Sequence, residues 1–79
     1  MNVMEIIATK YRREDGVHIV LTKAGWLVLA QSGPMRIWTG NEWEVLFNYE
    51  PEELEKFSYS KFQAMKILKE IKKPKIGGR

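Results

Sequence analysis

From Ile6 to Phe47 short apolar runs alternate with turn-forming residues, and after Asn48 the rhythm changes to the spacing of an amphipathic helix. The first extended stretch covers residues 6–13, although Val3, Ile6, Ile7 and Tyr11 also stand at helical spacing, so strand and helix both remain open there. Asp15-Gly16 follows, a pair that tolerates the two positive φ angles of a type I′ hairpin turn, and Val17–Thr22 then reads as a second strand. Lys23-Ala24-Gly25 separates it from a third strand over residues 26–31, which Ser32-Gly33-Pro34 ends because proline cannot donate to a ladder. Residues 35–39 and 42–47 flank Gly40-Asn41, a second two-residue turn signal. In the last run Trp43, Val45 and Phe47 alternate with Glu42 and Glu44, so these three are expected on the core face.

Pro51 with Glu52 and Glu53 suits a helix start, where proline loses no hydrogen bond and acids meet the positive end of the helix dipole. Leu54, Phe57, Ala64, Met65, Leu68 and Ile71 then fall on one side of a single helix over residues 51–72. Ser58-Tyr59-Ser60 is the place where it divides into two shorter helices if a serine there caps the second one. The predicted fold class is α+β: an antiparallel four- to five-stranded meander, open or curled into a small barrel, with the C-terminal helix packed on one face. Residues 1–73 make one domain, and residues 74–79 read as a flexible basic tail.

At 79 residues there is room for one small core, and without cysteine no disulfide can staple it. Oligomerisation is one way to stabilise so small a chain, which allows a homodimer. The missing cysteines and a single histidine, His18, argue against metal sites and nucleophile–base triads, and the glycines are spaced as turns with no phosphate-loop pattern. No cofactor and no enzymatic activity are expected. The longest apolar run, Trp26 to Ala30, is far shorter than the roughly 20 residues that cross a bilayer, so no membrane contact and a cytoplasmic location are expected. His18, among Val17, Ile19 and Val20, reads as a half-exposed sheet residue. The acids Glu50, Glu52, Glu53 and Glu55 have a sufficient explanation in the helix start.

Charge adds one asymmetry: residues 61–79 hold Lys61, Lys66, Lys69, Lys72, Lys73, Lys75 and Arg79 against Glu70 alone, while the first sixty residues are net acidic. Three tryptophans in so short a chain cannot all be hidden. Trp43 is assigned to the core with Val45, whereas Trp38 falls on the opposite face from Met35 and Ile37 and is the candidate for the surface. Tyr11, Arg12 and Arg13 beside the first turn combine a rigid amphipathic ring with forked donors, a composition enriched at interfaces.

These features point to a small non-enzymatic protein-binding module that uses Tyr11, Arg12, Arg13 and Trp38. Such a module would act as a regulator or inhibitor of a larger host protein, of the kind phages and mobile elements carry. The alternative is a nucleic-acid-binding β domain in which strand aromatics stack on bases while Lys66, Lys69, Lys72, Lys73, Lys75 and Arg79 follow the phosphates. A third reading is a structural subunit of a homo-oligomer, its sheet edge or helix face buried against identical chains.

Overall fold

The computed structural model describes residues 6–31 and 33–75. Five antiparallel strands follow one another in chain order across one open sheet: β1 (Ile6–Lys10), β2 (Val17–Thr22), β3 (Gly25–Gln31), β4 (Met35–Trp38) and β5 (Trp43–Val45). The helical alternative for the first segment is thereby excluded over residues 6–10; the earlier residues lie outside the described ones. The small barrel is excluded too, because β1 and β5 stand at opposite edges. A physical reason lies in β2 and β3, where consecutive side chains are buried. Both faces of the sheet are apolar, and curling this short sheet into a barrel would leave one of them in water.

The first hairpin is tighter in pairing but longer in loop than Asp15-Gly16 alone suggested. The Arg13 N–H donates to the Val17 carbonyl at 2.7 Å and the Gly16 N–H to the Arg13 carbonyl at 3.1 Å, which makes a three-residue loop of Glu14, Asp15 and Gly16. Only Gly16 takes a positive φ, 92°, as such a loop requires. Lys10 pairs with Ile19, so Tyr11 and Arg12 together stand opposite His18 in a bulge, with Tyr11 at φ 52°. The Gly40-Asn41 turn is as expected: Thr39 N–H donates across it to the Glu42 carbonyl at 3.1 Å.

Two expectations about the second half are corrected. The last strand stops at Val45, and a 3₁₀ turn over Leu46–Asn48 carries Leu46 into the core while Phe47 is 77% exposed. Phe47 therefore leaves the alternating face to which the pattern had assigned it. The single helix over residues 51–72 is likewise replaced by the divided form: α1 (Pro51–Leu54), a 3₁₀ turn (Glu55–Phe57), an extended link, and α2 (Lys61–Glu70). Ser60 caps α2 by accepting the Gln63 N–H on its hydroxyl at 3.2 Å. Tyr59 cannot be helical because it exchanges two backbone hydrogen bonds with Trp26, at 2.8 and 3.0 Å, filling the part of the β3 edge that short β4 leaves unpaired.

This link carries the chain from one face of the sheet to the other. Val20, Leu27, Leu29 and Ile37 pack with Leu46 and Leu54, edged by Met35, Tyr49 and Phe57. On the opposite face Val17, Ile19, Val28 and Ala30 pack with Ala64 and Leu68 of α2, edged by the three tryptophans, Met65, Ile67 and Ile71. The stripe predicted to lie on one helix is thus shared between the two faces: Leu54 and Phe57 cover one, Leu68 and Ile71 the other. The crossing passes so close to Gly25 that a Cβ there would stand 3.2 Å from the Ser58 Cβ and crowd it, and at φ 130° a side chain would also strain the backbone. Beyond α2 the Trp43 indole donates to the Lys72 carbonyl at 2.9 Å and Pro74 is buried, while Lys75 is exposed. The rest of the expected tail lies outside the described residues.

Candidate functional site

The residues chosen from the sequence as one surface have different surroundings in the fold. Arg13 lies under the end of α2. Its Nη1 donates to the carbonyls of Leu68 and Ile71, both at 2.7 Å, its Nε to Asp15 Oδ1 at 3.1 Å, and its Nη2 pairs with the second Asp15 oxygen. Four of its five donors therefore serve the fold. Partial burial opposes the charge on Asp15, but the hydrogen bonds from Arg13 and the Val17 N–H outweigh it and hold the carboxyl below its usual range. Arg12 is exposed.

Trp38 does point to the face opposite Met35 and Ile37, and there it is half-buried, meeting Trp43 edge to face at 5.5 Å between ring centres. Trp26 borders the same core. All three tryptophans thus flank α2, the side from which Trp43 also holds Lys72. His18 differs from expectation: it is buried, because the side of β2 facing α1 is covered as well. Its Nδ1–H donates to the Gly16 carbonyl at 2.8 Å, which fixes the tautomer since a carbonyl only accepts. Burial pushes its pKa below the ordinary value despite that bond, and nearby Arg12 adds to the lowering.

The exposed lysines come together with groups the sequence had not singled out. Around α2, Ala64, Leu68 and Ile71 face the sheet, and positions 62, 65, 66 and 69 recur at helical spacing along an outer flank. Phe62 on that flank is 79% exposed and Met65 half-buried. With Lys61, Lys66 and Lys69 they line a shallow groove of about 530 Å³. Its floor is apolar, formed by the two hydrophobic side chains and the lysine stems, and its rim is cationic. Lys61 links the groove to Tyr11: its Nζ stands 5.8 Å from the centre of the exposed Tyr11 ring and 6.0 Å from Trp26. Lys72, Lys73 and Lys75 are exposed beyond the helix end, and Arg79 lies outside the described residues.

Phe62 could have been found in the sequence, because at 3.6 residues per turn it falls nearly opposite Ala64 on α2. Met65 had been placed in the core stripe, and it lies at that stripe's border. Among the described residues no group of three or more His, Cys, Asp or Glu side chains could hold a metal ion, and no helix is long and apolar enough to cross a membrane. No protein-family model matches the chain, and neither does any curated protein or solved structure.

Proposed function

We propose that this chain is a small non-enzymatic protein-binding module, a regulator or inhibitor of a larger partner, and that the outer flank of α2 is its contact surface. The observation that carries the reading is Phe62, a large aromatic side chain held 79% exposed on a regular helix, next to Met65 and inside a lysine rim. An apolar centre with a polar edge is the anatomy of a protein interface, and aromatic residues and methionine are enriched in such centres. Tyr11 extends the surface through Lys61. Arg13 is given a structural role in this proposal, and Trp38 a supporting one at the core edge.

The row of exposed lysines Lys66, Lys69, Lys72, Lys73 and Lys75 favours the nucleic-acid reading. Against it, that reading also needs strand aromatics with open ring faces, whereas Trp26, Trp38 and Trp43 are packed at the edge of the core beneath α2. The deciding experiment immobilises the parent and Phe62→Ala proteins, retains partners from lysate, and measures the affinity of whatever the parent retains. Phe62→Ala should weaken that binding by about 2 kcal/mol, as for an interface anchor, with melting unchanged. Trp38→Ala should lower the melting temperature instead. Equal binding by the parent and Phe62→Ala refutes the assignment. Light scattering on the purified protein tests whether the partner is a second copy.

A further inference from the structure

The groove on α2 has a chemical bias that narrows what it can hold. Lys61, Lys66 and Lys69 stand around Phe62 and Met65, and none of the three has a carboxylate partner among the described residues. The helix's own carboxylate, Glu70, stands one turn beyond Lys66 on the same side of the helix, yet the two form no ion pair. The acids Glu50, Glu52, Glu53 and Glu55 belong to the segment that covers the other face of the sheet. The rim therefore sets three cations against the single carboxylate of Glu70 and stays net positive.

Resting on the reading of α2 as a docking surface, we infer that the groove receives an amphipathic acidic segment of a partner protein: an apolar pair seated on Phe62 and Met65, with carboxylates facing the lysine rim. Lys61 and Lys69 are eight residues apart on α2, which at the rise of an α-helix separates their backbones by about 12 Å. That distance is two turns of a partner helix, so acids two turns apart reach both ends of the groove. A second copy docked by two-fold symmetry through this same face would bring like charges together, which disfavours it. An uncharged apolar segment would leave three ammonium groups close to an apolar contact with no counter-charge, and a purely acidic one would leave Phe62 and Met65 in water.

The test uses three synthetic helical peptides of about 16 residues, long enough for a few turns. One carries leucines along one face with flanking glutamates, the second replaces its glutamates by glutamine, and the third replaces its leucines by alanine. A mixed-sequence single-stranded oligonucleotide and anionic phospholipid vesicles are titrated in parallel. The Leu–Glu peptide should bind at least about tenfold more tightly than either counterpart, and both Phe62→Ala and the combined Lys61→Gln, Lys66→Gln, Lys69→Gln variant should lose about tenfold. All substituted side chains except Lys61 lack fold contacts beyond van der Waals neighbours, and circular dichroism with a melting curve verifies that each variant is folded. If the Leu–Gln peptide binds as well as the Leu–Glu peptide, and Phe62→Ala weakens both, the docking surface stands and the acidic partner is refuted. If no peptide binds, the inference falls; if in addition Phe62→Ala retains partners as the parent does, the docking surface falls with it. Tighter binding of the oligonucleotide or the vesicles than of the Leu–Glu peptide overturns the inference in favour of that ligand.

Discussion

Replacing Arg13 by methionine isolates the contact that joins the first hairpin to the last helix. The change keeps most of the aliphatic stem and removes the guanidinium that reaches Leu68 and Ile71. Helix α2 needs such a cap: its final carbonyls have no partners within the helix, and the chain leaves at Ile71 in extended conformation with no left-handed glycine to close the end. Hydrogen bonds to a charged group contribute about 1.5–3 kcal/mol each, and partial exposure of the guanidinium lets water replace part of that in the variant. The surface-level pair with Asp15 adds no more than about 1 kcal/mol. The expected loss is thus about 2–4 kcal/mol, which for a domain of this size corresponds to a melting temperature lower by on the order of 10–20 °C. Urea unfolding followed by circular dichroism measures the free energy, with Asp15→Ala as the control that removes only the ion pair and the turn contact. Arg13→Lys should recover less than half of the loss, since an ammonium cannot span two carbonyls and a carboxylate as the planar fork does. An Arg13→Met protein within about 0.5 kcal/mol of the parent, the range of ordinary surface substitutions, would refute the capping role.

Leu54→Ala and Leu68→Ala should each cost about 2–5 kcal/mol, and because their clusters lie on opposite faces of the sheet the double variant should be additive within about 0.5 kcal/mol in urea titrations. Strong non-additivity would contradict the two-sided core. His18 makes stability fall in acid: its folded pKa is depressed, so below the unfolded value near 6.5 the unfolded chain binds more protons, and the contribution present at neutral pH is lost as pH drops through the folded pKa. His18→Leu should flatten the fall in stability that begins below the unfolded value near 6.5, and an unchanged slope there would show that another group sets it.

The strands were legible because their signals are local. The bounds of β2, the body of β3 and the Gly40-Asn41 turn follow from runs of a few residues and the φ freedom of glycine. The order of the sheet also follows, since short connections favour neighbouring antiparallel strands. What escaped depended on contacts distant in the chain. The break at Ser58-Tyr59-Ser60 was legible only as an alternative, because what decides it is the open β3 edge beside Trp26, which Tyr59 fills. Arg13 looked like a surface residue because its carbonyl partners lie 55 and 58 positions away. The two-sided sheet did leave a trace, the unbroken apolar run from Trp26 to Ala30, which is how a strand buried on both faces reads. Taken at that value, it would have required separate covers for the two faces and placed His18 inside.

The need to cover two faces also explains why the candidate site lies on α2 and not on the strands. A chain this short has little material for a second layer, so each covering segment turns its few large apolar side chains toward the sheet, and the strand tryptophans are drawn in beside them. Exposed aromatics at the outer side of those covers have no such packing role. Two large ones are found there, Phe47 and Phe62. Phe47 stands in a three-residue 3₁₀ turn next to a net acidic stretch, whereas Phe62 stands on a ten-residue helix with Met65 one turn away and three lysines around both. A regular helix holds its side chains at fixed mutual positions before a partner arrives, which lowers the ordering cost of binding. Preorganisation therefore favours Phe62 as the anchor, and the acidic surroundings of Phe47 do not match the positive rim that the anchor carries.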